Sequence, residues 1–341
     1  MLARPPVETL SIHTPDLFQA AVRRAAEFLR SGEAVALPTE TVYGLAANAL
    51  NADAVAAIYR IKGRPSHNPI IVHVAGLDQA RQCVADWPEP AEQLARAFWP
   101  GPLTLVLPRS GGIPDIVAAG GETVGIRWPS HPFMQAVIRE CGFPLAAPSA
   151  NPAGRVSPTQ ASHVLRQLGD AVRLIIDGGS SQVGIESTVI DLTAKPPRVL
   201  RPGMIHEPSL RAVLGPLATG TAEVPSDEKL RSPGMMLRHY APRAKLTVAR
   251  WDSDAELERV AAGLNCGLQK VHVITYRRVP ASVGFGRISV VPQDPEAYAR
   301  ALYAELHQAD EAGAEQIVVE APPDEPEWRA IADRLMRASA V

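Results

Sequence analysis

The chain has 341 residues, 46% of them hydrophobic and 21% charged, which is enough for a large core and for two domains, because single cores stop growing at about 250 to 300 residues. A formal net charge of -2 argues against a protein whose main work is gripping nucleic acid through a basic face, since phosphate neutralisation dominates such binding. The composition excludes a disordered chain, and no run of about 18 apolar residues offers a membrane span. In chain order, the opening MLARPPVETL lacks the apolar stretch of a secretory signal, so a cytoplasmic protein is expected. A helix follows: Thr14 can cap it, Pro15 suits its first position, apolar residues recur through Leu29, and Gly32 stops it. Strand-like runs then come at 34 to 37, 70 to 74, 103 to 107, 123 to 127, 144 to 147, 173 to 176, 188 to 192 and 198 to 201, with helical patterns between several of them. This rhythm predicts an α/β fold. Polar residues follow the strands at 34 to 37, 123 to 127 and 144 to 147 but precede those at 70 to 74 and 188 to 192. If all meet at one site, the sheet is mixed and not wholly parallel.

From 206 to 245 the periodicity fades into a Pro-, Gly- and Ser-rich stretch that reads as a linker. A second α/β rhythm fills 246 to 341: LTVAR, a helix near 253 to 264, VHVIT, a helix near 294 to 312, QIVVE and a closing helix. Cys83, Cys141 and Cys266 are far apart and without CxxC spacing, which predicts isolated reduced thiols.

The candidate chemistry clusters in the first 205 residues. In LPTETVYGL, hydroxyls at a strand exit and Gly44 suit a small polar ligand, although a polar turn has the same composition. Lys62 is the only lysine in the first 194 residues, and in KGRPSHNP it lies two positions from Arg64 on a proline-stiffened loop. An ammonium and a guanidinium held there match a polyphosphate, and a solvated helix end is the alternative. Strand alternation puts Ile70, Val72 and Val74 on one face and Ile71 with His73 on the other, so His73 is either a core histidine or a site residue. Arg127 closes TVGIR before Trp128 and Pro129, a setting for carboxylate capture or for a surface ion pair. Ser149, Asn151, Ser157 and Thr159 share a constrained loop whose hydroxyls and amides can surround phosphate or ribose. Ser187 precedes a strand and Arg201 ends one; with no GxSxG elbow, serine nucleophile chemistry is disfavoured.

In this order, PTETVYGL, KGRPSHNPIIVHV, FWPGPLTLVL, PSANPAGRVSPT, GIESTVIDL, VLRPG and SPGMMLRHYAP closely resemble the threonylcarbamoyl-AMP synthases in their long form, over essentially the whole chain. The resemblance implies a mixed, twisted open sheet (YrdC-like) over 10 to 205, a linker that serves as a lid over 206 to 245, and a smaller Rossmann-like α/β domain over 246 to 341. It implies a nucleotidyltransferase that joins L-threonine, bicarbonate or CO2, and ATP into threonylcarbamoyl-AMP and pyrophosphate, with Mg2+ bridging phosphates. Other proteins then pass the group to adenosine 37 of tRNA, and a weak tRNA contact is expected here. Carried over residue by residue, Thr41, His73, Arg127, Ser187 and the backbone of Ala147 would surround threonine. Lys62, Arg64, Asn68, Thr123, Ser149, Ser157, Arg201 and Tyr240 would surround ATP, with Lys62 and Arg64 stabilising charge. No metal ligand is identified; Glu40 and Glu186 are candidates. There are two departures from the pattern: relatives often carry Thr or Ser at Ala147, and Lys-Tyr where Met236 and Leu237 stand. Two alternatives remain at this level: an RNA-binding module, and a carbamoyltransferase acting on another acceptor.

Overall fold

The computed structural model describes residues 6–218, 239–281 and 284–340. The first half contains β1 (Glu8–Ser11), α1 (Pro15–Arg30), β2 (Val35–Leu37), β3 (Gly44–Asn48), α2 (Ala52–Lys62), β4 (Val72–His73), α3 (Leu77–Gln82) and α4 (Glu89–Phe98). It continues with β5 (Leu103–Pro108), β6 (Thr123–Arg127), α5 (Pro132–Cys141), β7 (Leu145–Ala146), α6 (Ala161–Leu168), β8 (Leu174–Asp177), β9 (Thr188–Asp191), β10 (Arg198–Arg201) and α7 (Glu207–Leu214). The remainder is β11 (Lys245–Ala249), α8 (Asp254–Ala262), β12 (Val271–Thr275), β13 (Arg287–Val290), α9 (Pro295–Glu311), β14 (Gln316–Glu320) and α10 (Arg329–Ser339). None of these helices is long and apolar enough to cross a membrane.

Ten strands form one open mixed sheet in the order β1-β8-β2-β3-β7-β4-β6-β5-β9-β10, and four form a smaller parallel sheet in the order β11-β14-β12-β13. The mixed character follows from the pairings: β7 is antiparallel to β3 and β4, whereas β4 is parallel to β6. The last pairing corrects one step of the sequence argument. His73 pairs with Arg127, so the carboxyl end of β4, not the 62–69 loop before it, lies level with the end of β6.

The local signals in α1 hold atom by atom: the Thr14 hydroxyl accepts from Leu17 N–H, Pro15 is the first residue, and Gly32 takes φ +85°. The alternation in β4 also holds. Ile70, Val72 and Val74 enter the main core with Leu45, Ile58, Leu105 and Ile126, while Ile71 and His73 turn to the cleft described below. Three strands lie outside the predicted set: β1, β3 and β13. β3 is GLAAN, poor in β-formers, and is held as a strand by pairing on both sides with β2 and β7. Within the predicted linker, 207–214 is helical: Pro208 sits in the first turn of α7 and Leu210 is buried with the main core. Met236 and Leu237 lie outside the described residues.

The smaller sheet is pressed against the larger unit through one face of α9. Tyr298, Leu302, Tyr303 and Leu306 share a hydrophobic cluster with Val42, Val156, Ile185 and Tyr240. This contact closes one side of the site.

Candidate active site

The ends of β4 and β6, the loops after β2 and β7, and the start of β9 surround one cleft. Thr41, Arg64, Ile71, His73, Arg127, Ala147, Ser149, Glu186, Ser187, Arg201, His239 and Tyr240 all line it. Nine of the thirteen residues carried over from the resemblance are among them. Its free interior is about 50 Å³, room for one or a few waters and not for a nucleotide.

At the β4–β6 end, Arg127 Nη2 lies 2.8 Å from Glu40 Oε1, with both side chains almost fully buried. The same oxygen accepts from Ser130 N–H at 3.0 Å. Arg127 is therefore neither a surface ion pair nor a bare clamp. Burial opposes the Glu40 charge, but Arg127 and the Ser130 amide outweigh it and hold the carboxyl below its usual range. Arg127 Nε and His73 Nδ1 have no hydrogen-bond partner among the described residues. Burial first, and then Arg127, push His73 down to about 3, so the imidazole is neutral near pH 7. A buried neutral imidazole beside a paired guanidinium leaves hydrogen-bonding capacity in the cleft without adding net charge. Ala147 N–H is already engaged by Ile71 O at 3.1 Å, which leaves its carbonyl as the backbone group for a ligand.

Two further lining residues, Arg201 and Arg64, are cationic. Arg201 Nε donates to Ser187 O at 3.0 Å and Nη2 to Ser187 Oγ at 3.1 Å, while Thr104 Oγ1 lies 2.8 Å from the same hydroxyl. Arg64 folds back on its own loop, donating to Asn68 O, Asn68 Oδ1 and Pro69 O at 3.0, 2.7 and 2.6 Å. Its proline-flanked loop therefore presets the guanidinium. Burial, helped by Arg201 nearby, pulls Arg64 down to about 10. Burial lowers Arg201 as well.

Lys62, Asn68, Ser157 and Thr123 do not reach the cleft wall. Lys62, at the end of α2, donates to Ser149 O at 2.5 Å and to Asn151 O, so it props the loop that follows β7. Burial, with Arg64 adding to it, holds its ammonium far below the usual lysine range. Asn68 orients Arg64, and Ser157 Oγ donates to Glu186 Oε1 at 2.5 Å. Thr123 begins the strand that Arg127 ends, which puts the two about 13 Å apart along the backbone.

The two carboxylates considered as metal ligands are committed elsewhere. Glu40 is paired with Arg127, and Glu186 with Arg334 of α10 at 2.8 Å. No group of three His, Cys, Asp or Glu side chains suited to a metal occurs among the described residues. Sequence reasoning did not find His239, Tyr303 or Arg334. His239 adjoins Tyr240 and was open to inspection, but nothing in α9 or α10 distinguishes a buried Tyr or Arg from a surface one.

Residues 27–203 match a family model, Sua5_yciO_yrdC, described as "Telomere recombination", and residues 205–340 match "Threonylcarbamoyl-AMP synthase, C-terminal domain". A Bacillus subtilis protein named threonylcarbamoyl-AMP synthase is 41% identical over 335 residues, covering 97% of this chain and 95% of the relative. A Pyrococcus abyssi protein of the same name is 40% identical over 322 residues, covering 93% and 94%. The crystal structure of P. abyssi Sua5 complexed with L-threonine superimposes with a TM-score of 0.88 at 37% identity, covering 98% of each chain. With this extent of likeness in sequence and in fold, the chain belongs to the threonylcarbamoyl-AMP synthase family.

Proposed function

We propose that this chain condenses L-threonine, bicarbonate or CO2, and ATP into threonylcarbamoyl-AMP and pyrophosphate. The threonine amine combines with CO2, losing a proton, to give a carbamate. A carbamate oxygen then forms a bond to the α-phosphorus as the bond from that phosphorus to the leaving pyrophosphate breaks. No protein nucleophile takes part, so the site has to align reactants, stabilise charge and keep water from a labile carbamate. The single observation that carries this reading is the polarity of the cleft. One end offers a neutral imidazole and a charge-balanced Arg127–Glu40 pair, suited to an amino acid that is itself neutral overall. The other offers Arg64 and Arg201, suited to a polyanion.

In this reading Thr41, His73, Arg127, Ser187 and the Ala147 carbonyl hold threonine. Arg64, Arg201, Ser149 and Tyr240 meet the nucleotide directly, and Lys62, Asn68, Ser157 and Thr123 lie behind them or beyond the cleft, to be engaged as ATP enters. Since the interior holds only about 50 Å³, ATP binding requires the cleft to widen. The committed carboxylates do not fit a protein-held metal, so Mg2+ is taken as part of the substrate, MgATP. The product is an activated donor, which calls for a partner that transfers the group to tRNA; a weak tRNA contact, a cytoplasmic location and free thiols belong to the same reading.

Pyrophosphate release tests it. Release is expected with ATP, threonine and bicarbonate together, is lost without bicarbonate, and falls with serine and further with glycine. A missing methyl is worth about 1 to 3 kcal/mol, so serine retains slow turnover. Equal release with all three amino acids, or ATP use that ignores bicarbonate, would remove the proposal.

A further inference from the structure

Arg334 is completely buried, and it comes from the smaller domain. Its guanidinium donates to Glu186 Oε2 at 2.8 Å, to Pro202 O at 3.1 Å and to Asp333 Oδ2 at 2.6 Å. It also lies over the Tyr240 ring at 5.1 Å from the centroid. Three of these four partners belong to the nucleotide end of the cleft: Glu186 and Tyr240 line it, and Pro202 follows Arg201. Glu186 in turn accepts from Ser157 Oγ at 2.5 Å and from Tyr303 of α9 at 3.0 Å.

Stability alone is a weak reason for the arginine. A buried ion pair is commonly replaced by packed apolar side chains with neutral or favourable effect, because desolvation offsets its Coulombic gain. What such a pair fixes is geometry. Tyr240 shows the need: it has φ +63°, a left-handed conformation that a bulky residue keeps only where its surroundings enforce it. The enforcement comes from the smaller domain. His239 N–H donates to Arg337 O at 3.2 Å, and the Tyr240 ring is stacked on Tyr303 at 5.9 Å as well as under Arg334. Without a partner, moreover, the Glu186 carboxylate would face the place where a polyphosphate has to lie.

We infer that Arg334 is a positioning residue for ATP: through Glu186, Tyr240 and the Pro202 carbonyl it holds the nucleotide wall in register and masks the one carboxylate in it. The smaller domain thus completes the site from behind without touching substrate. This inference rests on the proposed function, because it assumes that the cationic end receives ATP.

Two variants of the full chain test it, with MgATP and L-threonine binding measured separately by calorimetry. Arg334→Lys keeps the charge but loses the planar fork and the stacking surface. The double variant Arg334→Met with Glu186→Gln removes both charges at similar volume, which avoids an orphaned buried carboxylate if Arg334→Lys fails to fold. Each is expected to weaken MgATP binding about tenfold while threonine affinity stays within twofold. Unchanged MgATP affinity in both overturns the inference. So does equal weakening of both ligands, the mark of a merely structural residue. If the unaltered protein binds MgATP and releases pyrophosphate while the variants bind as it does, this inference alone falls. If the unaltered protein binds no MgATP, the proposed function falls with it.

Discussion

Lys62 is a cation that the fold has already put to use. Its ammonium satisfies the carbonyls of Ser149 and Asn151, and its own carbonyl accepts from Ala153 N–H at 2.8 Å. It is thus part of the scaffold of the loop after β7 before any ligand arrives. Arg64 differs, since its fork is set by Asn68 and Pro69 but also forms part of the cleft wall. A hydrogen bond to a charged group is worth about 1.5 to 3 kcal/mol, or roughly 10- to 150-fold in rate or affinity. Lys62→Ala and Arg64→Ala are each expected to lower kcat/KM for ATP by at least tenfold with the far-UV circular dichroism of the folded chain. Both should lower the thermal midpoint, because Lys62→Ala removes the charged donor to the Ser149 and Asn151 carbonyls and Arg64→Ala removes a donor to Asn68 Oδ1 and the Pro69 carbonyl. Wild-type kinetics in both variants would take these side chains out of the reaction.

At the scale of elements, the segment 179–187 joins the two sheets. Val183 N–H donates to Glu40 O and Gly184 N–H to Thr41 O, while Arg300 of α9 donates to Gln182 O at 2.7 Å. Gly184 has φ +84°, and a Cβ there would come within 2.4 Å of Arg300 Cα and 2.5 Å of Ala299 O. No side chain fits between this loop and α9. Gly184→Ala is expected to cost about 1 to 3 kcal/mol by overpacking and to raise hydrogen exchange in α9 and around Tyr240 before it does so in β5 or β6. Uniform loosening of the chain would contradict this. The loop marks the boundary of what the sequence made legible. The cap of α1 and the two faces of β4 depend on neighbours within a few positions, and both were readable, as was the mixed sheet. β3 was not, because GLAAN owes its strand conformation to pairing with β2 and β7. The Glu186–Arg334 pair spans 148 positions, and no local pattern separates an arginine destined for burial from one on the exposed face of an amphipathic helix.

For the whole molecule, the main consequence of burying so many polar groups is its response to acid. Burial pushes His73, His163 and His239 down to about 3 and His307 to about 4. The groups facing them do not reverse this. His73 meets Arg127 and Glu40; His163 stacks on His307 at 3.9 Å between the two domains, with Arg166 near both and Asp310 near His307; His239 meets Glu186, Arg64, Lys62 and Arg201. In the unfolded chain a histidine takes up its proton near pH 6.5. Between there and the lowered folded values the unfolded state binds more protons, so stability falls as pH falls, by at most about 1.4 kcal/mol per pH unit for each histidine. Glu40 and Glu186, also held below their usual range, contribute stability that is lost only as pH drops below about 4.3 towards their folded values. The interval from pH 6.5 to 4.5 therefore isolates the histidines. The thermal midpoint is expected to fall steeply across it. Burial lowers His131 and His272 as well, so His163→Gln with His307→Gln, which removes the interdomain pair, should reduce the slope by about a third to a half. An identical slope in the double variant would mean that these two rings already carry protons in the folded state, which their stacked, buried arrangement forbids.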